Sequence, residues 1–166
     1  ERVKERVGIE FIHVPVEELL QEMEVGGYEE NPWTQELLDK NFPSAEMKKA
    51  LEIYGALKRL MKKHSLDGLT LRCFDLLEPL QSTACLALAM LNAEGYAAGC
   101  EGDQKSLLSM TLAQKLLGTT AFMANPSWLD PETDEVILAH CTLPLDWPQH
   151  YELDTHFESG IGVALR

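Results

Sequence analysis

Apolar side chains recur at helical intervals most clearly in residues 44–64, where Met47, Leu51, Tyr54, Leu57 and Met61 fall three or four positions apart and share one helix face. Ser44 is placed to cap this helix, Glu46 lies in its first turn, and Lys62, Lys63 and His64 suit the negative end of the helix dipole. Upstream the pattern changes. Gly8 stops a short helical opening, residues 9–14 form a β-rich run ended by Pro15, and residues 16–23 set Leu19, Leu20 and Met23 at helical spacing among acids. Gly26, Gly27, Pro32 and Pro43 make the next stretch mainly loop, with a short helix over 34–40. Downstream, Asp67 and Gly68 turn into a strand over 69–74, and Ser82 or Thr83 caps a helix that Gly95 ends after Glu94. Residues 96–100 are a short strand of small side chains, and Asp103 can cap a helix reaching Gly118. Residues 119–123 read as a further strand, 126–131 as a proline-rich turn, and 136–140 as another strand.

This alternation of strand and helix predicts an α/β fold: a Rossmann-like parallel sheet with helices on both faces. After Asp134 the helical pattern stops, and the start of a β-rich barrel domain is expected. The expected division is 1–125 for the parallel domain, whose first strand need not lie in this chain, and 126–166 for the connection and first strands of a truncated C-terminal β domain. Residues 1–7 read as the tail of a helix and 160–166 as a strand cut short, so the expectation is a piece of a longer protein.

Composition narrows the partners. The 166 residues are 45% hydrophobic, enough for one ordinary core. A net charge of −13, with acids thickest from Glu17 to Glu30, argues against nucleic acid or an anionic membrane surface. No apolar run approaches the roughly 20 residues of a membrane span. Cys73, Cys85, Cys100 and Cys141 show no CxxC spacing and sit in apolar contexts, which predicts reduced, buried thiols in a cytoplasmic protein. Neither GxGxxG nor GxxxxGK[ST] occurs.

The candidate chemistry lies where the pattern ends buried strands: Cys100-Glu101-Gly102-Asp103, then Asn125, then His140-Cys141-Thr142. In open α/β sheets ligands gather at such ends. A carboxylate, an amide and an imidazole brought together there suit Mn²⁺, Mg²⁺ or Zn²⁺. Each also has a plainer explanation: Asp103 and Glu101 as helix caps, His140 as a partly buried histidine, and Asn125 as a residue of a strand-to-turn junction. His156 and Glu158 precede a glycine-rich turn and add a second imidazole and another acid.

Ala98-Gly-Cys-Glu-Gly-Asp103, followed by Thr120-Ala-Phe-Met-Ala-Asn125 and Ala139-His-Cys-Thr142, resembles the L-fucose isomerase and L-arabinose isomerase superfamily, and most of all its L-fucose isomerase-like proteins. Leu71-Arg-Cys-Phe74 resembles that family's preceding strand, and Thr155-His-Phe-Glu-Ser-Gly160 its entry into a C-terminal barrel. The resemblance implies a homo-oligomeric aldose–ketose isomerase acting on a deoxyhexose or pentose such as fucose or arabinose. It further implies Mn²⁺ or another divalent cation such as Mg²⁺ or Co²⁺, which polarises the sugar carbonyl and stabilises the enediolate. By position Glu101 is implied as metal ligand and base, His140 and Asn125 as ligands, Asp103 as a further catalytic acid, and His156 and Glu158 as sugar contacts. Asn125 departs from the family, which places Asp or Glu near this position, and an amide cannot shuttle a proton. Either the register is off by a residue, or Asp103 or Glu158 replaces the acid, or the isomerase chemistry has been lost. In the last case the protein is a non-catalytic carbohydrate-binding or regulatory descendant. The family draws further ligands from segments outside this chain, so the chain by itself is expected to be inactive.

Overall fold

A computed structural model describes residues 2–166. The chain opens with helices α1 (Arg2–Val7), α2 (Val16–Val25) and α3 (Thr34–Asp39), followed by the long α4 (Ser44–His64). Helix α4 buries Met47, Leu51, Tyr54, Leu57 and Met61 as their spacing requires, together with Ala50, Ile53 and Leu60. Helix α2 packs along it through Leu19 and Met23. Arg59 ties the two helices, donating to the Glu22 carboxylate at 3.1 Å and to the Glu22 carbonyl at 2.6 Å. The mid-helix Gly55 has a packing cause: a Cβ there would overlap the Gly27 carbonyl, so the loop after α2 crosses α4 at this point. Ser44 does not cap with its side chain. Pro43 occupies the cap position, and its carbonyl accepts from the Met47 amide at 3.0 Å.

Strand β1 (Gly68–Leu71), a turn of 3-10 helix (Cys73–Leu76), α5 (Leu77–Leu80), α6 (Cys85–Ala93), β2 (Ala97–Cys100) and α7 (Gln104–Leu117) follow. Strands β1 and β2 are parallel, in register from Gly68↔Ala97 to Leu71↔Cys100. Successive side chains of a strand point to opposite faces. Ala98 accordingly joins the core built by α4 and α6, whereas Ala97 packs against Leu107 and Met110 of α7. Helices therefore cover both faces of the small parallel sheet, and the fold is α/β as the alternation predicted. Asn92 clamps α6 to β2, donating to the Ala98 carbonyl at 2.8 Å and accepting from the Ala98 amide at 2.9 Å.

Several elements differ from expectation. Residues 9–14 are irregular and mostly exposed, because no strand among the described residues lies beside them to pair with. The strand expected over 69–74 stops at Leu71, since the Asp75 amide bonds the Arg72 carbonyl at 3.0 Å and closes a tight helical turn. Residues 119–123 are irregular too, with Ala121 and Met123 resting on the cluster under α7. Residues 126–131 are no turn. They fall largely within β3 (Asn125–Asp130), antiparallel to β4 (Glu135–Ala139), with a register shift between Pro126 and Trp128 that accommodates the proline. The reversal comes later, at Asp134, whose φ is 56°. Neither Ser82 nor Thr83 caps α6; the Leu86 amide instead bonds the Val163 carbonyl at 3.1 Å. The last strands, β5 (Leu153–Asp154) and β6 (Ala164–Leu165), pair antiparallel, and Cys141, Leu145, Val163 and Ala164 share the main core with α4 and α6.

Candidate active site

At the end of β2 the chain reverses at once into α7. It does so through two consecutive left-handed residues, Glu101 (φ 63°) and Gly102 (φ 69°). Gly102 adopts this conformation without steric cost, and a Cβ there would stand 2.8 Å from Cγ of Arg72. Glu101 has no such freedom, so its carboxylate is held at the strand end by a strained backbone. Asp103 then caps α7. Its Oδ1 accepts from the Lys105 and Ser106 amides at 2.8 and 3.0 Å, and its Oδ2 from the Ser106 hydroxyl at 2.7 Å. The Ser106 side chain first, and these amides with it, hold the Asp103 carboxyl below its ordinary range.

A cavity of about 1060 Å³ opens where β2, the β3–β4 hairpin and the C-terminal segment meet. Glu101, Asn125, His140, His156 and Glu158 all line it. Five of the six residues singled out from the sequence thus share one space. Asp103 stands apart, in a smaller cleft with Ser106, Met110 and Phe122 that Glu101 and Asn125 also border.

His140 is the fixed member. Its side chain is 5% exposed against 61% for Glu101, and its Nε2 lies 3.5 Å from Oε1 of Glu101. Nδ1 is 3.0 Å from the hydroxyl of the buried Thr142. In the tautomer that donates Nδ1–H to that hydroxyl, Nε2 holds a lone pair open to a cation between it and Glu101; in the other, Nε2–H points at the Glu101 carboxylate. The register Asn125↔Ala139 sets Asn125 across the hairpin from the neighbour of His140. His156 is buried beneath, edge-on to Phe74 and stacked on Phe157, and its Nδ1 accepts from the amides of Glu158 and Ser159 at 3.3 and 3.4 Å.

The cavity also contains groups that sequence reasoning passed over: Arg72 paired with Asp75 at 3.4 Å, and Arg166 paired with Asp154 at 3.1 Å. Arg72 had a usable signal, because it follows β1 as Glu101 follows β2, at the carboxyl edge of the same sheet. The donor set fits a hard divalent cation. On an octahedral ion with bonds of about 2.1 Å, adjacent ligand atoms stand about 3 Å apart. The 3.5 Å separation of Glu101 and His140 is close to that, and the amide of Asn125 offers a further oxygen.

The family model of the L-arabinose isomerase central domain matches residues 10–120. Sulfoquinovose isomerase of Clostridium sp. (strain MSTE9) is 29% identical over 103 residues, which are 61% of this chain and 23% of the relative. The chain thus spans well under half the length of that relative. The family match takes in α2 to α7, both parallel strands and the Glu101 turn. It meets the expected superfamily resemblance through the motif at residues 98–103 and ends before Asn125 and His140, and the chain belongs to the L-arabinose isomerase central domain family, a family of sugar isomerases.

Proposed function

We propose that this chain is the part of an aldose–ketose isomerase that supplies Glu101 and His140 to the reacting centre, for a deoxyhexose or pentose such as fucose or arabinose. The observation that carries this reading is a strained, exposed carboxylate facing a buried imidazole nitrogen across 3.5 Å in the large cavity. Glu101 takes the proton from C2, beside the carbonyl, and returns it to C1, while a second acid–base group moves the hydroxyl proton from O2 to O1. Asn125 contributes an oxygen but carries no proton. The second acid is therefore Glu158 or Asp103, and the engagement of both Asp103 oxygens in capping favours Glu158. Glu158 contacts sugar hydroxyls, and the buried His156, its Nδ1 taken by the Glu158 and Ser159 amides, holds that segment against the cavity. A Mn²⁺ ion, or Mg²⁺ or Co²⁺, held by Glu101, His140 and Asn125 would supply Lewis-acid polarisation of the carbonyl. Glu101, Asp75, Asp154 and Glu158 face the cavity alongside two arginines that are both already paired, which supports an uncharged sugar.

The activity is assigned to a full-length cytoplasmic homo-oligomer in which residues 1–125 form the layered domain and 126–166 lead into a β-rich one. The exposed apolar side chains of Leu129, Ile137 and Leu138 on the hairpin support an interface there. The decisive measurement is exchange of the C2 proton of L-fucose, L-arabinose and sulfoquinovose in deuterated buffer by the Mn²⁺-loaded full-length protein. Exchange is expected with L-fucose or L-arabinose, falling about 10²–10⁴-fold in Glu101→Gln, whereas exchange with sulfoquinovose alone would overturn the uncharged-sugar reading. The chain by itself should bind the cation without turnover. Asn125 favours a second reading, a non-catalytic carbohydrate-binding descendant. No exchange with any of the three sugars would select it.

A further inference from the structure

Cys73, Cys85, Cys100 and Cys141 come from four separate segments: the turn after β1, the start of α6, the end of β2 and the exit of β4. All four are buried and free, and their side chains converge in the core below the candidate active site. The sulfurs of Cys73 and Cys100 lie 3.0 Å apart. Cys73, Cys100 and Cys141 line the same cavity wall, and the pair Cys73–Cys100 lies against the pair Cys85–Cys141, although no three of the four sulfurs are within 4.8 Å of one another. A ring nitrogen of the buried His156 and the sulfurs of Cys85 and Cys141 lie within 4.8 Å of one another. Beside Cys85 the buried Thr83 hydroxyl has no hydrogen-bond partner. Ordinary packing does not require this arrangement: a buried thiol behaves as a small apolar group and needs no second sulfur.

We propose that the four cysteines form a soft-cation site that holds Zn²⁺ as thiolates, with His156 donating its Nε2–H to the sulfurs. Thiolate sulfur selects Zn²⁺ over the hard cations that suit Glu101, His140 and Asn125. With Zn–S bonds of about 2.3 Å, sulfurs at tetrahedral corners stand about 3.8 Å apart. The 3.0 Å Cys73–Cys100 pair must open by about 0.8 Å to reach that spacing, and sulfur pairs more than 4.8 Å apart must close by at least about 1 Å. Each thiol gives its proton to solvent on binding, leaving two net negative charges around the ion. Because Nδ1 of His156 accepts from two backbone amides, the proton of the neutral ring sits on Nε2, which makes this histidine a donor to sulfur rather than a ligand. The Thr83 hydroxyl supplies a second donor. The site is independent of the isomerase reading, yet Cys100 and Cys141 directly adjoin Glu101 and His140. A bound ion would pin the end of β2 to the exit of β4.

The test uses the whole chain, reduced and stripped of metal, titrated with Zn²⁺ against a chromophoric chelator and with Co²⁺ as an optical probe. One equivalent of Zn²⁺, thiolate-to-cobalt charge-transfer bands and protection of four cysteines from alkylation are expected. Cys85→Ser should weaken Zn²⁺ binding at least tenfold, whereas Glu101→Gln should leave it unchanged. The cobalt charge-transfer bands, and the difference in alkylation between the metal-free and the Zn²⁺-loaded chain, need no variant, so they decide the matter even if Cys85→Ser fails to fold. Free alkylation of all four thiols at saturating Zn²⁺, or Zn²⁺ binding lost in Glu101→Gln instead, overturns the proposal.

Discussion

Replacing Glu101 by glycine and by alanine separates what this residue does for the fold from what it does for the site. Alanine removes the carboxylate but keeps the left-handed conformation at φ 63°. Glycine removes the carboxylate and relieves the conformation. Left-handed backbone costs an L-residue about 1–2 kcal/mol. Glycine returns roughly 0.4–1 kcal/mol of that through the greater freedom of the unfolded chain. The contact with His140 is lost in both variants, so it cancels from the comparison. The glycine variant should therefore be more stable than the alanine variant by about 1 kcal/mol. With a urea dependence of about 2 kcal/mol per molar, that is a midpoint difference of roughly 0.5 M. Against wild type, alanine should lose no more than about 1 kcal/mol, because the 3.5 Å pair joins a buried imidazole to a carboxylate that is 61% exposed. Both variants should lose cation binding. An alanine variant as stable as the glycine variant would refute strain at this turn. A loss of several kcal/mol in both would mean that the carboxylate is structural.

Thr142→Val removes the hydroxyl that orients Nδ1 of His140, and Mn²⁺ affinity should fall about 10–100-fold in a titration, with little change in far-ultraviolet circular dichroism. Asn92→Ala leaves both polar groups of Ala98 without their side-chain partner and should cost roughly 2–4 kcal/mol in denaturant unfolding, with faster exchange of the Ala98 amide. Glu94 supplies a pH prediction. Desolvation pushes its carboxyl up, but donation by Lys58, Tyr54 and Asn31 outweighs this and holds it below the ordinary 4.5. A depressed folded value stabilises above the unfolded one and is lost as pH falls, so wild type should lose stability between roughly pH 5 and pH 3 more steeply than Glu94→Gln. Equal slopes would show that Glu94 contributes nothing to acid sensitivity.

The helix over 44–64 and the turn at Glu101-Gly102-Asp103 were legible because each rests on local chemistry: periodicity in one case, a cap and a glycine in the other. The strands expected over 9–14 and 119–123 failed for a non-local reason. Apolar and β-branched residues favour extended backbone, but a strand also needs a neighbour, and none lies beside either segment among the described residues. Pro126 misled in the opposite direction, since a shifted register lets a proline sit inside β3. The convergence of Glu101, His140 and His156 was approached through strand ends and family order, not through periodicity. The cluster of cysteines was not legible at all: its members share no short spacing, and only the packing of α6 against β2 and the hairpin exit brings them together.

The two principal members of the site differ in freedom, and that difference suits the work proposed for them. His140 is buried, its ring is oriented by Thr142, and it has little room to turn. A ligand or electrostatic anchor gains from such fixity, because the cost of ordering it falls on folding rather than on binding. Glu101 is fixed at its backbone by Gly102 and the Asp103 cap, yet its side chain projects into the cavity with a single 3.5 Å contact. A base that takes a proton from one carbon and returns it to the next must move its oxygen by about one carbon–carbon bond, roughly 1.5 Å. Rotation about the side-chain torsions of Glu101 covers that distance without disturbing the turn. Shortening the side chain to Asp would draw the carboxylate back toward the strand by about the same length. On the isomerase reading, Glu101→Asp should therefore keep measurable cation binding while losing proton exchange nearly as fully as Glu101→Gln. Parallel losses of binding and exchange would show that reach is not what the glutamate supplies.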